Sequence, residues 1–246
     1  MRKTYRHGGN AGDVISSLAT VRALGGAACY YLVPDVPAFY AGGPHPCGNV
    51  RMTVSFCESL LPLLRAQPYI QRAEIWKGEQ VDVNLDDFRE TGFPFSAGHI
   101  CRYYQYRWPC SLDLSEPWLF VEPSSEFAGK ILVNRTARYR NQRIDYTALD
   151  GKADVVFVGL PAEHGAVRRV PCVTAPDYLT LASWLAGCRG FVGGQSSCWL
   201  LAEGVKLRPR LLEVCLYAPN AGPHGHGAYE AIDQHSFDTI LAGCFC

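Results

Sequence analysis

Apolar side chains at Val14, Ile15, Leu18, Val21 and Leu24 recur at spacings of three and four, which predicts an amphipathic helix. Lys3 to Arg6 read as a short strand before it. The turn between them, HGGNAGD over 7–13, leaves room for a ligand against the N–H groups of the helix start. Further on, 27–33 (AACYYLV) reads as a buried strand, and 54–67 as a helix that Pro62 interrupts. Residues 72–77 and 81–85 read as strands, and 97–108 as a helix. A Pro, Ser and Glu cluster at 121–129 breaks the pattern, and a second alternation begins. Residues 130–135 and 153–160 are nearly continuous apolar runs, as strands covered on both faces should be. Residues 175–188 form a helix pattern with Pro176 near its start and Gly187 near its end. A short strand at 190–194, a helix at 196–205 and a strand at 209–217 follow. Alternating strands and helices favour parallel sheets. The expected fold is therefore α/β, with two Rossmann-like βα domains, 1–125 and 126–246, facing a central cleft. Ligands in such folds sit beyond the carboxyl ends of the strands, which points to the turns at 7–13, 134–143, 159–164, 193–198 and 218–227.

Composition narrows the class without naming the chemistry. The 246 residues are 48% hydrophobic and 12% aromatic, too apolar for disorder and sufficient for a substantial core. Lysine plus arginine equals aspartate plus glutamate at 23 each, so no overall field draws the chain to nucleic acid or anionic lipid. The eleven cysteines are odd in number, and the chain starts polar, with no apolar run near the roughly 18 residues of a membrane span. A reduced, cytoplasmic protein without signal peptide or membrane span is expected. No cysteine pair has C-x-x-C spacing, and Cys244 and Cys246 are one residue apart, so buried, inert thiols are favoured over zinc. Gly8, Gly9, Gly12 and Asp35 imitate a dinucleotide fingerprint, but the G-x-G-x-x-G spacing is not met; without G-K-[ST] a P-loop is excluded. Asp86 and Asp87 are adjacent in NLDDF and point in different directions, a poor metal pair. In CRYYQYRWP (101–109), arginines alternate with aromatics that suit either stacking on a sugar or base, or core packing.

Several pieces in order carry a resemblance: GDVISSLATVRAL from Gly12, ILVNRTARYRN from Ile131, FVGLPAEH from Phe157, DYLTLASWLAGCRGFVGGQSSCWLLAEGV from Asp177, and YAPN ending at Asn220. Together they resemble the heptosyltransferase-like glycosyltransferases of family nine, enzymes of the two-domain GT-B fold. The resemblance implies metal-independent transfer of a sugar from a nucleotide-diphosphate sugar to an acceptor hydroxyl, with the acceptor on the N-terminal domain and the nucleotide on the C-terminal one. It gives the general-base role to Asp13. The turn Gln195-Ser196-Ser197 departs from the family's acidic residue and following histidine, and the chain is short, so the resemblance extends to the reaction and not to heptose as substrate. The acceptor is expected to be a glycan or another hydroxyl compound; a modified nucleic-acid base stays open, although the net charge does not indicate one. A nucleotide-sugar epimerase or hydrolase, or a binder without chemistry, are the alternatives on the same fold, and an NAD-dependent dehydrogenase is a weaker one.

Asp13 beside Gly12 has a physical case of its own, since a base must reach the acceptor hydroxyl and the glycine turn provides space. A carboxylate capping its own helix would look the same in sequence. Arg135 and Arg138, with Asn134, come off a strand end where guanidinium groups suit diphosphate oxygens. Gln195, Ser196 and Ser197 open a helix whose free N–H groups suit a phosphate. Gly159 permits close approach of the nucleotide, while His164, Glu203 and Asn220 complete the set of expected donor contacts. His224 and His226 lack a third ligand at metal spacing, so no metal is expected.

Overall fold

The computed structural model describes residues 2–40, 45–94 and 98–245, and contains two parallel sheets. The first has four strands, β1 (Lys3–His7), β2 (Ala27–Leu32), β3 (Ala73–Ile75) and β4 (Val83–Asn84), in the order β3-β2-β1-β4. The second has six: β5 (Ile131–Asn134), β6 (Val155–Val158), β7 (Cys172–Val173), β8 (Gly190–Gly194), β9 (Arg210–Glu213) and β10 (Ala228–Ala231), in the order β10-β9-β8-β5-β6-β7. Every residue of β5, β6, β8 and β9 is buried, which explains the largely apolar runs of β5, β6 and β8; the charged ends of β9, Arg210 and Glu213, are buried in ion pairs.

The helices are α1 (Ala11–Ala23), α2 (Val54–Arg65), α3 (Ile100–Arg107), α4 (Tyr178–Gly187), α5 (Ser197–Val205) and α6 (Gln234–Cys244). Pro62 does not interrupt α2. It removes the partner of the Glu58 carbonyl, but Glu58 is on the exposed face, where water replaces that bond. The expected strand at 81–85 stops after Asn84, and 85–90 turns instead into a short 3-10 helix. Residues 135–154 cross from β5 to β6 as turns without a helix, yet Ile144, Tyr146 and Leu149 pack under the sheet as a helix would. The strand expected at 209–217 leaves the sheet after Glu213: the Val214 N–H still donates to the Ala231 carbonyl of β10, but that of Cys215 donates to Gln195 Oε1. β10 and α6 were not anticipated; Phe237, Leu241 and Phe245 bring α6 against the second sheet.

One apolar core runs through both halves. Val14, Ile15 and Leu18 of α1, Leu60 and Leu64 of α2, Leu181 and Leu185 of α4, and Trp199 and Leu200 of α5 belong to a single cluster. Trp118, buried between the sheets, donates its indole N–H to the Ile15 carbonyl and its backbone N–H to the Gly204 carbonyl. Glycine is required there, since a Cβ on Gly204 would lie 2.6 Å from Leu119 Cδ1. A second cluster fills the far face of the six-stranded sheet. No helix among the described residues is long and apolar enough to cross a membrane. The ten described cysteines are free; burial pushes the Cys57, Cys101, Cys188 and Cys198 thiols up to about 12, which makes them poor nucleophiles. Cys246 lies outside the described residues, as does Ala97 of the expected helix 97–108.

Candidate functional site

A cavity of about 390 Å³ lies where the two halves meet, lined by residues that follow β1, β5, β6, β7 and β8. Helices α1 and α5 both start there. Ser196 caps α5: its Oγ accepts from the Trp199 N–H and donates to Asn134 Oδ1 at 2.8 Å. Asn134 Nδ2 donates in turn to the Val158 carbonyl at 2.8 Å, so the strand ends and the helix start are held in one frame. Gly159 belongs to that frame, with φ at +154° and a Cβ position only 2.8 Å from Asn134 Nδ2. Ser197, in the first turn of α5, has its hydroxyl 3.2 Å from Tyr178 Oη, and α5 carries no acid in that turn.

Asp13 faces α5 from the start of α1. Its Oδ2 accepts from the Asn10 N–H at 2.9 Å and from Arg89 Nη2 at 2.5 Å. The carboxylate therefore caps its own helix, as the alternative reading anticipated, and it also lines the cavity at 8% exposure. Behind it, the Tyr104 hydroxyl donates to the Asp13 carbonyl at 2.9 Å and lies 2.7 Å from His7 Nε2. Arg89 also pairs with Asp86, which is bound by Arg51 at 3.2 Å and by the Gly8 N–H at 2.8 Å. Burial would raise the Asp86 pKa, but the His7 ring, the Gly8 N–H and Arg89 outweigh it and hold the carboxyl well below its ordinary range. The neighbouring Asp87 accepts from Asn84 Nδ2 at 2.6 Å and lies 3.9 Å from Arg107, so both acids of NLDDF have partners within the protein. Among the described residues, no group of three or more His, Cys, Asp or Glu is placed to hold a metal ion. Gly12, also on the wall, brings α1 close to α5, with its Cβ position 3.1 Å from Leu200 Cδ1.

The arginine-rich turn divides. Arg138 lines the cavity, 4.4 Å over the Tyr40 ring and 4.9 Å over the Tyr139 ring, and among the described residues it has no carboxylate partner. Arg135 points beneath the site. Its Nε and Nη2 grip Glu213 at 2.7 and 3.0 Å, Nη2 also donates to the Ile144 carbonyl at 2.6 Å, and the guanidinium covers the Tyr146 ring. With Glu213 fully buried, this bidentate pair is structural, and the expectation that Arg135 meets a phosphate is corrected. Glu203 is corrected likewise: it is fully buried, held by Arg210 at 2.5 Å, Lys206 at 2.8 Å and the His224 N–H. His164 turns away from the cavity, its Nε2 2.9 Å from the Val170 carbonyl. Gln195 and Asn220 do line the cavity, but their amides are partly committed: Gln195 Nε2 donates to the Ala218 carbonyl and to Asn220 Oδ1, which pins the loop at 215–220.

Some residues on the wall or supporting it were not anticipated. Arg89 sits in the segment NLDDFRE, where the mixed charges after a strand end were a usable signal. Glu163 lines the cavity, and burial raises its pKa; its neighbour His164 had drawn attention instead, and adjacent residues of the 3-10 turn point different ways. Tyr40, Phe56 and Tyr178 carry no local signal, because their apolar pattern reads as core.

No protein-family model and no curated protein matches the sequence. Solved structures do match. A glycosyltransferase of family 9 from Veillonella parvula is 16% identical, with 98% of this chain and 91% of that one covered at a TM-score of 0.56. The E. coli heptosyltransferase WaaC, solved with ADP-2-deoxy-2-fluoro heptose, is 11% identical over 98% and 99% at 0.56. The E. coli ADP-heptose heptosyltransferase II is 14% identical over 98% and 95% at 0.57. Across nearly its whole length, the chain has the two-sheet α/β fold of these GT-B-like structures.

Proposed function

We propose that this protein is a glycosyltransferase that moves a sugar from a nucleotide-diphosphate sugar to an acceptor hydroxyl without a metal, with the donor on residues 126–246 and the acceptor on 1–125. One observation carries the reading: an acid-free helix start with an unpaired arginine, Ser196, Ser197 and Arg138, shares one cavity with a carboxylate from the opposite half, Asp13. The diphosphate sits at the α5 N-terminus, where backbone N–H groups and the helix dipole favour negative charge. Asn134, Gly159, Glu163 and Gln195 surround the nucleoside and sugar. Asp13 takes the proton of the acceptor hydroxyl, the oxygen bonds to the anomeric carbon, and the sugar–phosphate bond breaks with its electron pair going to the diphosphate. Arg138 leaves its aromatic partners to meet the charge that grows there. Three structures with this fold are named as glycosyltransferases, and one of them holds a nucleotide-diphosphate sugar.

A second reading, a nucleotide-sugar binder without turnover, is favoured by the bonds that Asp13 Oδ2 already makes to Arg89 and Asn10. One experiment separates the two. Nucleotide diphosphates and their sugars are expected to raise the unfolding midpoint with or without magnesium, because they bind only the folded chain. Asp13→Asn keeps that shift and lowers transfer by about 10²–10⁴-fold, the usual range for a general base. Transfer that survives the substitution removes Asp13 from the base role, and a shift with NAD alone replaces the whole reading.

A further inference from the structure

The two halves furnish the cavity with different chemistry, and the acceptor-side wall is the more restrictive. On that wall Asp13 is the one charged residue among the described ones. The segments 41–44 and 95–97, outside the described residues, contain no charged residue in sequence either. The nearest arginines are committed: Arg51 bonds Asp86 and the Gly8 carbonyl, and Arg89 bridges Asp86 and Asp13. Two cations thus face two carboxylates, and the one cavity arginine without a carboxylate partner among the described residues, Arg138, is the residue assigned above to the diphosphate. His45 adds none at neutral pH, since burial and then Arg138 push its pKa down to about 4. The wall's few polar groups each make a bond within the protein: Ser59 Oγ donates to the Phe56 carbonyl at 2.7 Å, and Asn10 Oδ1 accepts from the Tyr40 hydroxyl at 2.6 Å. What remains is a surface of Phe56, Pro46, Ile100 and His45, closed from the other half by Tyr178, whose ring meets Phe56 edge-on at 5.9 Å.

Resting on the transfer reading, the geometry points to an acceptor that is an uncharged hydroxyl compound with an aromatic face, lodged against Phe56 with its hydroxyl toward Asp13. With Arg138 engaged by the diphosphate, a carboxylate or phosphate on the acceptor would lose its water and meet Asp13 without a compensating cation of its own. A polyol would lose its water against a wall whose larger part, Phe56, Pro46 and Ile100, offers it no hydrogen bond. An aromatic ring gains area burial and offset or edge-on ring contacts.

The test uses the intact protein and three probes: β-naphthol, the hydroxynaphthoate of the same ring shape, and inositol. Binding is read by titration calorimetry near neutral pH, where the naphthol is uncharged. The naphthol is expected to bind at least about tenfold more tightly than either of the others, a margin that ring contacts and area burial readily supply. Phe56→Leu reduces that affinity, and Ser59→Arg, which adds a cation to the wall, turns the preference toward the hydroxynaphthoate. The inference is overturned if the hydroxynaphthoate or inositol binds as well as the naphthol to the unaltered protein, if the naphthol does not bind, or if both substitutions leave the order unchanged. The nucleotide panel separates the two levels: a nucleotide-diphosphate shift without naphthol preference removes only the acceptor class. Naphthol preference without any nucleotide shift removes the transfer reading instead.

Discussion

Two helix starts face one cavity and are furnished in opposite ways. At α1 the third residue is Asp13, whose carboxylate closes a capping box with Asn10 and neutralises the positive end of its own helix. At α5 the cap is a serine hydroxyl, the first turn holds no acid, and the nearest cation, Arg138, rests on tyrosine rings rather than on a carboxylate. One start therefore has its positive end neutralised by its own carboxylate, while the other keeps its field uncancelled, which is the basis of the anion site proposed above. The contrast teaches that a helix N-terminus is a site only where its field is left uncancelled. The same lesson separates Arg135 from Arg138: three residues apart, one is neutralised by Glu213 and the other is not.

Breaking that second contrast gives the largest expected effect. Arg135→Ala leaves the buried Glu213 carboxylate without its partner and is expected to cost about 3–5 kcal/mol of stability, read as a lower urea midpoint. If Arg135 served a phosphate, stability would barely change and nucleotide affinity would fall instead. Arg138→Ala is expected to do the reverse: it removes a charge-assisted contact worth about 1.5–3 kcal/mol, so nucleotide-diphosphate affinity falls roughly tenfold to a hundredfold with little change in midpoint. A smaller effect comes from making α5 resemble α1. Ser197→Asp places a carboxylate in the first turn of α5 and is expected to weaken the nucleotide diphosphate roughly tenfold, measured by titration calorimetry. Undiminished binding would move the diphosphate away from α5. The smallest is a titration: the His45 ring, followed by NMR, protonates near pH 4 in the unaltered protein and at a higher pH in Arg138→Ala. The shift is partial because burial is the larger cause. As the folded chain resists protonation of His45, that contribution to stability is present above about pH 6.5 and is lost as pH falls toward 4.

Much of the scaffold was legible because burial on both faces leaves a simple trace: β5, β6 and β8 are apolar runs, and α1 and α4 carry the helical period between recognisable ends. β10 was not legible, since its residues are half-exposed and its sequence continues a glycine- and histidine-rich stretch. In the site, the positions set by the backbone were legible. Asp13, Gly159, Ser196 and Ser197 lie at turns whose place in a βα unit the pattern fixes, and all four line the cavity. Glu203 was misread because a helix acid looks the same whether exposed or buried against Arg210, and Arg135 and His164 because a charged or polar residue after a strand looks the same whether it points up into the cavity or down to a buried partner. Glu213, lying 78 positions away from Arg135, decides which. Phe56 and Tyr178 were invisible for the opposite reason, as nothing in a local apolar pattern distinguishes a core ring from a wall.

The core that passes from α1 to α5 and from α2 to α4 has a mechanical meaning. Swinging one half away from the other would expose Leu18, Leu64, Leu185 and Leu200 to water, at roughly 1.5–3 kcal/mol for each side chain, so a hinge through 121–129 is a poor way to admit substrate. Outside that core, Tyr40 from one half and Tyr139 from the other hold the Arg138 guanidinium over their rings, a contact that costs far less to break. The halves should accordingly melt together, and a cut within 121–129 should yield two pieces that rejoin or precipitate rather than two that stand alone.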